Sequence, residues 1–163
     1  MSVIDPSFEN LRTALMNSYN SQTITHAGYI IALTVGLLTI ISRWNDLWTY
    51  FSESPSKEVI LLLILSAILG LIWYFSLRVI YWATLSDQVM LVFASEIRIN
   101  AESPTTIVAL QNTAISKLKE AGTRNRLAFF AWLTKGHPLL TLFIGFIVSA
   151  ILLIIVFWKF SLF

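Results

Sequence analysis

The chain of 163 residues contains no cysteine, only two histidines and four prolines, and just 12 % of its residues are charged. Without cysteine, disulfides, thiolate zinc sites, iron–sulfur clusters and cysteine nucleophiles are all excluded. A soluble domain usually carries about a quarter charged residues, so the shortage of charge excludes an ordinary soluble enzyme. The common catalytic motifs are missing as well: there is no P-loop, G-x-G-x-x-G, H-E-x-x-H or G-x-S-x-G. Asp87, Glu96 and Glu102 lie at spacings of nine and six, which do not align as a catalytic dyad. His26 and His137 have no carboxylate at metal-ligand spacing. Neither catalysis, a bound metal nor a cofactor is expected.

What the chain does have is apolar surface, 56 % of its residues, gathered into three stretches at about 24–42, 59–77 and 138–158. None of the three holds an Asp, Glu, Lys or Arg. Each has roughly the 20 residues that a helix needs to cross a bilayer core. The expected fold is therefore all-α: an integral membrane protein with three transmembrane helices, forming a single membrane domain over 1–163. The first apolar run begins near Ile24, behind an amphipathic leader with almost no charge, so no cleavable signal peptide is expected. Seven of the eleven basic residues fall between Arg78 and Lys135. Positive-inside bias then places the N-terminus and the segment after the second span in the cytoplasm and the C-terminus outside, in a cell inner or plasma membrane. Trp44, Trp48 and Trp158 suit the outer interface, and Trp82 and Trp132 the inner one.

Three proline pairs punctuate the helices. Asp5-Pro6, Ser54-Pro55 and Ser103-Pro104 each place a capping residue before a proline suited to the first turn, where its missing N–H is no loss. With no strong breaker between these starts, one helix is expected from Pro6 into the membrane and another from Pro55 to about Asn100. A helix of about 45 residues is about 65 to 70 Å long, against a hydrocarbon core of about 30 Å. Both should therefore extend about 25 Å into the cytoplasm, over about 6–23 and from 83 onward. Apolar residues recur at three and four in Phe8, Leu11, Leu15 and Tyr19. The same period runs through Leu85, Val89 and Val92, continuing to Glu96 or Ile99, and through Ile107, Leu110, Ala114, Leu118 and Ala121. Three such stripes predict a small cytoplasmic helical bundle within 6–23 and 83–135. The third helix is expected to return to the membrane near Gly122 and continue as an interfacial helix over Arg124 to Lys135. Gly136-His137-Pro138 then opens the last span.

Small residues at four-residue spacing mark every span: Gly28, Ala32 and Gly36; Ser66 and Gly70; Thr141, Gly145 and Ser149. Helices in lipid associate largely through such close-approach ridges. They serve an oligomer, or the packing of three spans within one chain, or reflect only a composition rich in small residues; because three spans alone enclose little, a homo-oligomer is expected. Lys117, Lys119, Arg124, Arg126 and Lys135, with Trp132, suit anionic lipid headgroups, at about 1 kcal/mol per near-surface basic residue. Plain positive-inside bias explains the same cluster. Nucleic acid is not expected, because the neighbouring aromatics suit the membrane or a core better than a water-exposed stacking platform. His26 and His137, at the cytoplasmic ends of spans, are candidate pH-sensitive groups if they meet, and solvated interfacial histidines otherwise. No Asp, Glu, Lys or Arg lies inside a span, so proton relays, coupled transport and voltage sensing lack their usual marks.

This order of elements resembles that of small prokaryotic membrane effectors, the Pycsar transmembrane effectors and the related SLATT proteins. In both, an amphipathic helix runs into a first span, a second span leads to a cytoplasmic helical stretch, and a basic helix breaks briefly before the last span. The resemblance covers the whole chain as layout and shares no residue-level motif, so no functional residue carries over. It implies a membrane-perturbing effector of antiviral defence, triggered by a nucleotide signal or a cytoplasmic protein partner. The expected function is a self-associating, pore-forming or channel-like assembly gated by its cytoplasmic helices. The alternative is a non-conducting membrane scaffold or accessory subunit of a larger complex.

Overall fold

The structure, a computed structural model, describes residues 6–52, 54–102, 106–123 and 132–161. Every element among them is helical: α1 (Pro6–Ser42), α2 (Trp44–Phe51), α3 (Pro55–Glu102), α4 (Ile107–Thr123), a five-residue π turn (Trp132–Gly136) and α5 (Pro138–Ser161). α1, α3 and α5 are long and apolar enough to cross a membrane.

Three of the four prolines open a helix, as their fixed φ and missing N–H favour. Glu9 and Glu58 sit in the first turns of α1 and α3, where a negative charge meets the positive end of the helix dipole. Glu9 also pairs with Arg12 one turn on. The Ser54 carbonyl accepts the amides of Lys57 and Glu58 and so starts α3. Ser103-Pro104, the expected start of the next helix, lies outside the described residues, and α4 is described from Ile107. The expected interfacial helix over 124–135 falls mostly outside them too, and its last residues, from Trp132, form the π turn. One element has no counterpart in the sequence reading. The connection between the first two apolar helices folds as α2, in which Trp44 and Trp48 stack one turn apart with ring centroids 5.8 Å apart.

The chain divides into two compact units. The first comprises α4 with residues 6–25 of α1 and 78–102 of α3; the second holds the remainder of those two helices, α2 and α5. In the first, Phe8, Val89, Phe93, Leu110 and Ala114 form a buried core, and Leu11, Leu15, Met16, Tyr19, Val92, Ile97 and Leu118 pack around it. Phe8 and Phe93 meet as tilted rings 4.7 Å apart. The core-facing line on α3 is Leu85, Val89, Phe93 and Glu96, whereas Val92 is half-buried and Ile99 is exposed. The sequence stripe runs through Val92 because a strict three-four alternation steps past Phe93. A helix of 3.6 residues per turn keeps positions 89, 93 and 96 on one face equally well. Near the other end of this unit, Tyr81 and Leu85 pack with Tyr19 and Trp82.

The second unit carries most of the exposed aliphatic surface. Ile31, Val35, Leu38 and Ile41 on α1 are exposed, as are Ile147, Ile151, Leu152 and Ile155 on α5. Apolar surface this continuous suits lipid.

Phe93→Ala removes the largest side chain of the α3 line from the first unit's core. It should destabilise the protein by about 3–5 kcal/mol, whereas exposed Ile99→Ala should change stability by no more than about 0.5 kcal/mol. Equilibrium unfolding of the two variants in matched detergent compares them directly.

Candidate functional site

The three small-residue ridges look alike in sequence, but the fold uses them differently. On α3, Ser66 and Gly70 are buried, and so are Thr141, Gly145 and Ser149 on α5. These two ridges pack against each other. A Cβ on Gly70 would stand 3.0 Å from the Phe146 backbone nitrogen and 3.2 Å from its Cα. One on Gly145 would stand 2.6 Å from the edge of the Trp73 ring and 3.3 Å from the Gly70 carbonyl oxygen. The two glycines therefore permit direct backbone approach between α3 and α5, the close van der Waals packing through which apolar helices attract. The Ser66 hydroxyl turns back to the Leu62 carbonyl at 2.7 Å, so its burial leaves no polar group stranded.

On α1 the ridge is open. Gly28, Ala32 and Gly36 are exposed, and nothing lies within 4 Å of a Cβ built on either glycine. Thr34 and Thr39 donate to the carbonyls of Ile30 and Val35, at 2.8 and 2.9 Å, so this part of α1 presents small and aliphatic groups with its hydroxyls already satisfied. Sequence reasoning could not separate this ridge from the other two. The distinguishing partners, the Phe146 backbone for Gly70 and Trp73 for Gly145, come from other helices and leave no mark on the spacing of glycines.

The two histidines part company. His26 is 7 % exposed, with the Tyr29 ring 6.1 Å away edge-on and Phe75 at 5.9 Å. It is thus buried among aromatics and is not the solvated interfacial side chain that its position in the sequence implies. His137 is exposed, at the junction between the π turn and α5. Among the described residues no three His, Asp or Glu side chains converge to hold a metal.

The basic cluster also divides. Lys117 bridges to Glu96, whose side chain is only 3 % exposed. This pair explains the polar break in the α3 stripe: Glu96 faces the core line and takes its counter-charge from α4. Lys119 and Lys135 are exposed, while Arg124 and Arg126 lie outside the described residues, as does the side chain of Trp132. The Arg78 guanidinium sits 5.8 Å from the Trp82 ring centroid, within cation–π range. A second polar link in the first unit is the Ser86 hydroxyl, which donates to Asn20 Oδ1 at 2.9 Å. Burial pushes the Tyr19 phenol above its ordinary range, with neighbouring Tyr81 adding to the effect.

Two comparisons separate these roles. Lys117→Met strands the Glu96 carboxylate and should cost about 2 kcal/mol of stability, most of it recovered in the Glu96→Met/Lys117→Met double variant. The coupling is read from a double-mutant cycle in chemical denaturation. Gly145→Ala forces Trp73 to move and should lower the melting temperature of the detergent-solubilised monomer. Gly28→Ala meets nothing, and should leave it unchanged or raise it through the roughly 0.5–1 kcal/mol that alanine gains over glycine within a helix.

No protein-family model, curated protein or solved structure matches this chain.

Proposed function

We propose that the protein is a three-span membrane protein that self-associates through α1 and forms a pore-like or membrane-perturbing assembly gated by its cytoplasmic helices. The observation that carries this reading is the open ridge of Gly28, Ala32 and Gly36. The other two ridges are taken up by packing within the chain, and this one is left on an apolar surface with no partner. Lipid chains gain little from a ridge of small residues, whereas a second copy can approach it to backbone distance.

In this reading the N-terminus and the first unit face the cytoplasm, as the basic residues after the second span favour. The continuity of α1 through residues 19–23, and of α3 through Arg78, supports a mechanical link. The trigger in this reading acts on the first unit by repacking Phe8, Phe93 and Ala114. The layout shared with small prokaryotic effectors suggests a nucleotide signal or a cytoplasmic protein as that trigger. Exposed Lys119 and Lys135 are placed to meet anionic headgroups. The chain works by assembly and has no catalytic step.

One observation favours the second reading, a non-conducting scaffold. The hydroxyls of Thr34, Thr39 and Ser66 bond back to their own helices and do not line a polar path.

In lipid nanodiscs the full chain should behave as an oligomer, and Gly28→Leu/Gly36→Leu should shift it to monomer without lowering its helix content. Liposomes bearing the wild type should leak ions or dye once cytoplasmic extract supplies the trigger, and those bearing the double variant should not. A wild-type monomer in nanodiscs overturns the assembly. An oligomer whose liposomes never leak, with or without cytoplasmic extract, overturns the pore and leaves the scaffold.

A further inference from the structure

The junction before α5 carries a hydrogen-bond substitution that the proposed function does not use. In the π turn Trp132–Gly136 backbone bonds run from residue i to i+5. In that pattern the Leu133 carbonyl awaits the amide of residue 138, which is proline and has none. Leu133 is buried, as are Thr134 and Thr141, so water is not at hand to serve the orphaned oxygen. The missing donor comes instead from one turn into α5: Thr141 Oγ1 lies 2.5 Å from the Leu133 carbonyl oxygen.

The same hydroxyl lies 3.0 Å from the His137 carbonyl, the ordinary acceptor for a threonine bonding back within its own helix. That carbonyl already receives the Thr141 amide at 3.0 Å. One hydroxyl proton thus faces two acceptors. Leu133 depends on it, and His137 has another donor.

We propose that Thr141 is a two-position latch on the Gly136-His137-Pro138 hinge. Donating to Leu133, it fixes the π turn against the start of α5. Donating to His137, it releases the turn and lets α5 pivot at Pro138 while its own hydroxyl stays paired. Thr141 is a positioning residue in this scheme, and the moving part is the turn.

The chain's lack of an amide N–H at position 138 supplies the test. Thr141→Val keeps the shape of the side chain and removes the donor. In the full-length protein in detergent, hydrogen exchange of the amides at 135–137 should then quicken about tenfold, the loss of roughly one hydrogen bond. Exchange within α5 beyond Gly145 should stay as in the wild type. Thr141→Ser, which retains a hydroxyl, should exchange like the wild type. Pro138→Ala restores the peptide donor, so adding Thr141→Val to it should have little further effect. Equal quickening by Thr141→Val in both backgrounds, or none in either, overturns the latch. If Thr141→Val alone does not fold, the Pro138→Ala/Thr141→Val pair should, and failure of both overturns it equally.

Discussion

The constraint behind every element of this protein is that its peptide groups must find partners within the chain. More than half its residues are apolar, and α1, α3 and α5 are long and apolar enough to cross a membrane, where no water serves the backbone. An unpaired N–H or C=O in such surroundings costs several kcal/mol, and the α-helix is the local arrangement that pairs nearly all of them. The side chains obey the same rule. Thr23, Thr25, Thr34, Thr39, Ser66, Ser76 and Thr84 each return a hydroxyl proton to a carbonyl four residues earlier. Where proline breaks the pattern at 138, a threonine makes it good.

Within that rule the two units solve their packing by opposite means. The first uses large against small: Phe8 and Phe93 fill the space between helices, and Ala114 at full burial lets α4 close over them. It tolerates a charge pair in its wall because Lys117 reaches Glu96 from the neighbouring helix. The second uses almost no bulk at its closest point. Gly70 and Gly145 bring two backbones into contact, and Trp73 covers the glycine that would otherwise leave a gap. The first arrangement gains its stability by burying bulky side chains. The second relies on close backbone contact, the means by which helices attract where burial offers little drive.

Much of the architecture can be read from residues. Pro6, Pro55 and Pro138 mark helix starts because a fixed φ and a missing N–H suit the first turn wherever the chain then goes. The burial of Phe8, Leu110 and Ala114 follows from spacing alone. That of Phe93 does not, since an alternating three-four count and a four-four count describe the same helix face. α2 is a different case: Trp44, Leu47, Trp48 and Phe51 do recur at three and four, a helical period in a connection too short to draw notice beside the three long apolar runs. The burial of His26 is hidden for a different reason: its neighbour Phe75 comes from another helix, and local sequence holds no record of it.

The sequence by itself determined that the chain is all-helical among its described residues, that three helices are long and apolar enough to cross a membrane, and where those helices begin. These are properties of single segments, set by composition, period and proline, and each is settled within a few turns of chain. Only the tertiary structure decided which glycines make internal contact and which remain open, why a glutamate belongs in an apolar stripe, and what replaces the amide N–H that Pro138 lacks. Each of these depends on a partner brought close by folding, and short-range periodicity carries no information about partners from other helices or across a break.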